Sequence, residues 1–93
     1  MTPTQELAEQ IRQILFAELR AESVEIEDDS WKHAGHAGGH KGHFKVTVVS
    51  DLFEGKSLLE RHRMVNDKIF PRLEKQVHSL VIKAHTLKEK HPD

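Results

Sequence analysis

Histidine is the residue type in this sequence with the clearest potential for metal chemistry. The stretch WKHAGHAGGHKGHF, residues 31–44, contains four of the eight histidines, namely His33, His36, His40 and His43. Imidazole is a common ligand of zinc, copper, nickel and iron. Three interpretations are open: a solvated polar loop, a loop that donates one ligand to a metal shared with a partner, and an autonomous four-histidine site.

The composition of the stretch and of the whole chain helps to rank these three interpretations. Glycines at positions 35, 38, 39 and 42 disfavour regular structure, and ordering a loop costs about 1–2 kcal/mol per residue. Structural zinc sites usually contain cysteine, whereas this chain has none. The autonomous site is therefore the least favoured, and the thiolates of any iron–sulfur cluster must come from a partner.

His62 is a further candidate ligand, in the segment RHR between Arg61 and Arg63. Leu58 and Val65 are its neighbours at helical spacing, so it is either a partly buried histidine with a hydrogen-bond partner or a metal ligand fixed on a rigid helix. The other histidines are less promising: His78 is expected in the core, and His85 and His91 on the surface or in the tail.

Apolar periodicity predicts an α-β-β-α-(α)-β order. A helix begins at Pro3 after the N-cap Thr2, with an apolar stripe formed by Leu7, Ile11, Ile14, Leu15 and Leu19. Alternation in VEIEDDS and FKVTVVS predicts an antiparallel pair of strands joined by the His/Gly loop.

The second half of the chain predicts a helix that starts with the capping box Ser57-x-x-Glu60. Its expected apolar stripe comprises Leu58, His62, Val65, Ile69 and Leu73. Pro71 predicts a break or kink near Phe70, with a short helix PRLEKQ after it. HSLVIKAHTL predicts a final strand, parallel to the second after a right-handed crossover.

The fold class expected from this order is α+β, with a three-stranded mixed sheet and helices on one face. The other face is left to solvent or a partner. We expect one domain over residues 1–93, with a His/Gly-rich loop at 31–43 and a polar, fraying C-terminal tail at 88–93.

Composition excludes several classes of function. The formal net charge is −1, without the basic excess typical of a nucleic-acid binder. Nucleophile-elbow, phosphate-loop and HExxH motifs are absent, which predicts a non-enzymatic protein. No apolar run is long enough for a membrane span, the N-terminus does not read as a signal peptide, and the lack of cysteine is compatible with the cytoplasm.

Three segments together resemble the BolA family: EDDSWKHAGHAG, GHFKVTVVSDLFEGKSLLERHRMVN and VHSLVIKAHT. The similarity extends from the first helix to about Leu87. It implies an αββααβ fold related to the type II K-homology fold, which agrees with the order predicted from periodicity.

The resemblance also implies a function. BolA-like proteins are partners of monothiol glutaredoxins and share a bridging [2Fe–2S] cluster, for which the glutaredoxin and glutathione supply sulfur. The family's helix histidine matches His62, and its loop ligand matches His33, with His36 as the alternative. A labile cluster with two histidine ligands is pH-sensitive, which suits delivery or sensing. Alone, the chain is expected to be a monomer or a weak homodimer.

DNA-binding transcription regulation is the alternative that the family suggests. The residues available for it are basic and lie on or near the second predicted helix: Arg61, Arg63, Lys68, Arg72 and Lys75. K-homology domains hold nucleic acid with a GXXG loop, but the corresponding segment here, VNDKIFPRL, has no glycine. An ordinary solvated charged face is an equally good interpretation of these residues.

Overall fold

The computed structural model describes residues 3–28, 42–77 and 79–90. Within these ranges the order of elements is α1 (Pro3–Leu19), β1 (Ser23–Asp28), β2 (His43–Val49), α2 (Leu58–Leu73), β3 (Ser79–His85) and α3 (Leu87–Lys90). A short 3₁₀ helix, Asp51–Phe53, precedes α2. The α+β class predicted from the sequence is confirmed. Most of the predicted loop, including His33, His36 and His40, lies outside the described residues.

The sheet has the strand order β1-β2-β3 and is mixed, as predicted. β1 is antiparallel to β2, with Val24 opposite Val48, and β2 is parallel to β3, with Val46 opposite Ile82. A backbone hydrogen bond marks each end of the parallel pair. The N–H of Ser79 donates to the carbonyl of Gly42 (3.0 Å), and the N–H of Ser50 donates to the carbonyl of His85 (2.9 Å).

Alternate residues of each strand face the helices and form the core. Phe44, Val46 and Val48 of β2 are buried, while the intervening Lys45 and Thr47 are only half-buried. This two-residue period follows from the pleat of a strand. The core also includes the predicted α1 residues Leu7, Ile11, Leu15 and Leu19, whereas Ile14 is only partly buried against it. The helices therefore cover one face of the sheet.

The predicted helix break at Pro71 is wrong, because α2 continues through Pro71 to Leu73. No separate helix begins at Pro71. The proline lies in the last turn, so the missing N–H disturbs only the end of the helix. Burial of Leu73 in the core favours the helical geometry of that turn.

The predicted apolar stripe of α2 is correct in its C-terminal part and wrong at its start. Val65, Ile69 and Leu73 are buried, but the first buried residue of the helix is Arg61. Leu58 is 67% exposed and His62 is half-buried. The buried residues of α2 thus repeat every four positions, starting at Arg61. At the start of the helix the buried side chain is therefore the charged Arg61, whereas the apolar pattern predicted Leu58 and His62.

Residues 87–90 form helix α3, which includes the first three residues of the predicted polar tail at 88–93. Thr86 and Glu89 form a capping box: the Thr86 N–H donates to Glu89 Oε1 (2.9 Å) and the Glu89 N–H donates to Thr86 Oγ1 (3.2 Å). Ser57 and Glu60 form the same motif at the start of α2, as predicted. Residues 91–93 lie outside the described residues.

Candidate functional site

His62 is the fifth residue of α2 and lies near the C-terminal end of β3. Its neighbour Arg61 donates from Nη1 to the carbonyl of Ala84 (3.1 Å), which fixes the level of this helical turn against the sheet. Ala84 is the sixth of the seven residues of β3. The predicted helical ligand is therefore held rigidly, on a turn that is anchored to the sheet.

The His/Gly loop joins the sheet at its opposite end. It connects Asp28, the last residue of β1, to Gly42, which precedes β2. Gly42 has φ = 74°, a left-handed conformation that favours glycine, and accepts the hydrogen bond from Ser79 at the start of β3. The loop ends thus adjoin the start of β3, whereas His62 adjoins its end.

This topology constrains a ligand pair made of His62 and a loop histidine. Five residues separate Ser79 from Ala84, a distance of about 17 Å along a strand. His33 is five residues from Asp28 and can reach at most about 18 Å from it. His36 is six residues from Gly42 and can reach about 21 Å. The chain length available to each loop histidine is thus similar to the length of β3 that separates the two ends.

Other histidines belong to segments closer to the loop ends. His43 is the first residue of β2, pairs with Ser79 and is half-buried. His78 immediately precedes Ser79 in the chain. It is therefore only one residue from the hydrogen bond between Ser79 and Gly42. The expectation that His78 lies in the core falls outside the described residues. The start of β3 is therefore a candidate second ligand position that periodicity assigned only to packing.

The described residues do not form a complete metal site by themselves. Among them, no group of three or more histidine, cysteine or carboxylate side chains could hold a metal ion. The chain also contains no cysteine. A metal or cluster held at one or two histidines of this chain would need further ligands from elsewhere.

Arg61 is a buried structural residue and is not part of a basic surface. Besides Ala84, its guanidinium donates from Nε to the carbonyl of Lys56 (3.0 Å) and makes a bidentate pair with Glu89 (2.6 and 3.1 Å). These contacts join α2, β3 and α3. The predicted surface position of Arg61 is therefore wrong, and this residue positions the turn that carries His62.

The remaining basic residues of the DNA-binding alternative do not share one face. Arg72 pairs with Glu18 of α1, and the positive charge of Lys68 helps to lower the pKa of that same carboxyl. Arg63 is exposed and is about 140–180° away around the helix from Lys68 and Arg72. Lys75 lies beyond the end of α2. These basic residues therefore do not form one continuous positive surface.

The pair between Glu89 and Arg61 predicts an acid-dependent loss of stability. The hydrogen bonds from Arg61, and to a smaller extent the one from the Thr86 N–H, lower the pKa of Glu89 from 4.5 to about 2. A carboxyl with a lowered pKa stabilises the fold fully above its ordinary pKa, and this contribution is lost as the pH falls through the folded-state value.

Urea unfolding of the wild-type chain and of Glu89→Gln would measure this contribution. We expect the wild type to be more stable at neutral pH, and the difference to shrink between pH 4.5 and about 2. A difference independent of pH over this interval would show that the charge of Glu89 does not stabilise the fold.

Sequence comparisons assign the chain to a family. The family model for BolA-like proteins matches residues 15–89. The DNA-binding transcriptional regulator BolA of Escherichia coli is 37% identical over 83 residues, which cover 89% of this chain and 78% of that protein. SufE-like protein 1, chloroplastic/mitochondrial, of Arabidopsis thaliana is 43% identical over 83 residues, which cover 82% of this chain but only 22% of that protein.

Solved structures show the same fold. The BolA domain of SufE1 from Arabidopsis thaliana matches with a TM-score of 0.78 and 43% identity, over 88% of this chain and 93% of that chain. The solution structure of BolA1 from Mus musculus matches with a TM-score of 0.76 and 37% identity, over 100% and 74% of the two chains. The fold is thus that of BolA-type α+β domains, and the chain belongs to the BolA family.

The names of these relatives bear on the class of function. The Escherichia coli relative is named as a regulator and the mouse relative, 43% identical over 76 residues, as BolA-like protein 1. Neither name states an enzymatic activity. Within the described ranges, no helix has the length and apolar character that crossing a membrane requires.

Proposed function

We propose that this protein is a non-enzymatic partner of a monothiol glutaredoxin and shares a labile [2Fe–2S] cluster with it through histidine ligands. Membership in the BolA family supports the proposal. The observation that carries it within this chain is the donor set: eight histidines and no cysteine. Such a chain offers imidazole nitrogen but no thiolate, so the thiolates must come from the partner and glutathione. A cytoplasmic location is part of the proposal.

The candidate ligands are those predicted from the sequence, His62 with His33 or His36, together with His78. His62 is favoured by its rigid helical turn, whereas His78 is favoured by its position in the chain next to Ser79 and the loop ends. Because imidazole must be neutral to bind a metal, a cluster with histidine ligands is weakened by acid. This lability suits transfer of the cluster or sensing of iron and redox state.

Visible absorption and circular dichroism of the mixture with a glutathione-loaded, cluster-bearing monothiol glutaredoxin test the proposal. We expect the wild-type chain to change the cluster spectrum and to form a heterodimer. Replacing a true ligand by alanine would remove that change. His62→Ala, His78→Ala, His33→Ala and His36→Ala are compared with His91→Ala as a control in the tail. Failure of every ligand variant to alter the spectrum would refute histidine ligation.

DNA binding is a second candidate because the Escherichia coli relative is named as a DNA-binding transcriptional regulator. Arg61 is buried and Arg72 pairs with Glu18, so these two residues give little support to a DNA-binding surface. A sequence-specific complex that survives physiological salt and is weakened by Arg63→Ala or Lys68→Ala would favour this function. Binding without sequence preference that disappears at modest salt would reduce it to nonspecific electrostatics.

A further inference from the structure

The outer edge of β3 can be defined residue by residue from two hydrogen bonds. The N–H of Ser79 and the carbonyl of His85 both bond to the side of β2. Because successive residues of a strand direct their backbone groups to opposite sides, the odd-numbered residues from Ser79 to His85 face β2. The backbone N–H and carbonyl groups of Leu80, Ile82 and Ala84 therefore point outward from the sheet.

The Arg61 contact closes one end of this edge. Its Nη1 donates to the outward carbonyl of Ala84 (3.1 Å), which independently supports the assignment of sides. Beyond it, the outward backbone groups of Leu80 and Ile82 have no hydrogen-bond partner in the described part of the chain. A row of unpaired backbone groups at a sheet edge is a template for pairing with another strand.

We propose that this edge pairs with the same edge of a second copy of the chain, antiparallel and across a twofold axis at Val81. In this register Leu80 of one copy is opposite Ile82 of the other. Both residues present outward N–H and carbonyl groups, so each of the two pairs exchanges two hydrogen bonds, about four in total. The edge is thus complementary to itself, as a twofold interface requires.

The side chains on the open face of the sheet fit this register. Val81 is 50% exposed and meets Val81 of the second copy at the axis, where β-branched pairs are favourable. Lys83 is opposite Ser79 of the second copy, so no like charges face each other along the paired segment. An exposed valine, which is unfavourable in water, becomes the centre of the interface.

The helices of the two copies lie on one face of the combined sheet. Because the axis is perpendicular to the sheet, both α2 helices lie on the same side of the joined six-stranded sheet.

The Arg61–Glu89 pair limits the paired segment to residues 79–83. Covering the edge at Ala84 prevents a longer strand from pairing there, in the way that natural sheets protect their edges from uncontrolled association. The short segment predicts a weak, closed dimer. The inference concerns the isolated chain and therefore does not depend on the proposed glutaredoxin partnership.

Sedimentation equilibrium of the full chain, between about 10 µM and 1 mM, tests the proposal. We expect reversible dimerisation. Val81→Lys places two positive charges at the axis and should raise the dissociation constant at least about tenfold, whereas Val81→Thr, which keeps the β-branch, serves as the matched control. Circular dichroism checks that both variants are folded, as expected for an exposed position.

Amide hydrogen exchange by NMR gives a second readout that needs no variant. The amides of Leu80 and Ile82 should exchange more slowly as the protein concentration rises, while those of Val81 and Lys83, which bond to β2, remain unchanged. A wild-type chain that stays monomeric over the whole range would overturn the proposal. Equal dimerisation of the wild type and Val81→Lys would overturn it as well, as would protection of Leu80 and Ile82 only when a glutaredoxin is added.

Discussion

Arg61→Ala is expected to lower the free energy of unfolding by about 2–3 kcal/mol, a typical value for charge-assisted hydrogen bonds. Arg61 is 93% buried and donates to the carbonyls of Lys56 and Ala84 and to Glu89. Alanine leaves these acceptors without their donor. Because Glu89 is about half exposed, water satisfies that carboxylate after the substitution, and the loss falls mainly on the two carbonyls.

Urea denaturation would measure this loss, with Arg63→Ala as the matched control. Arg63 is an exposed arginine two residues away on the same helix, and its removal should change stability by no more than about 0.5 kcal/mol. Arg61→Lys should fall between the wild type and Arg61→Ala, because lysine keeps the charge but not the bidentate geometry. Equal effects of Arg61→Ala and Arg63→Ala would show that the buried contacts add nothing.

Phe53→Ala should have a still larger effect, a destabilisation of about 3–5 kcal/mol. The Phe53 ring is fully buried in the core at the end of the 3₁₀ helix. Its removal deletes the anchor of the segment that connects β2 to α2 and leaves a cavity. For a small domain this is a large part of the total stability.

The adjacent Leu52 provides the control for Phe53. Leu52 is 38% exposed and belongs to the same turn, so Leu52→Ala tests loss of an apolar side chain without a buried cavity. Its effect should be well below that of Phe53→Ala in thermal and urea unfolding. Similar losses for the two variants would mean that the turn, rather than the Phe53 ring, carries the stability.

The strands could be predicted because their signal is local. Alternation of apolar and polar residues in residues 44–48 and 80–84 directly reflects which side of the pleat faces the core. The antiparallel and parallel pairings followed from the loop and the crossover helix. The start of α2 was equally predictable, since the Ser57–Glu60 capping box satisfies backbone groups within one turn.

The burial of Arg61 could not be predicted, because its partners come from distant parts of the chain. Ala84 is 23 residues away and Glu89 is 28 residues away. Periodicity therefore assigned the buried side to Leu58 and His62. Helix α3, in contrast, had a local signal that was missed: Thr86-x-x-Glu89 matches the same capping pattern as Ser57-x-x-Glu60.

The chemistry of the candidate site is a prediction from composition alone, whereas its geometry depends on the fold. Because the chain has no cysteine, the thiolates of any shared cluster would have to come from a partner. Which histidines can act together depends on the direction of the crossover, which sets His62 near the end of β3 while the loop joins the sheet near its start. The assignment of His62, His33 and His36 as ligands stays a prediction, with His78 as the added candidate.

The most direct test of the central claim is titration of a glutathione-loaded, cluster-bearing monothiol glutaredoxin with this chain, followed by visible circular dichroism. We predict a saturable spectral change at one chain per glutaredoxin, abolished by alanine at one or more of the candidate ligands His62, His78, His33 and His36 and retained in His91→Ala. The same change in wild type, His62→Ala, His78→Ala, His33→Ala and His36→Ala, or no change with the wild-type chain, would contradict a cluster shared through these histidines.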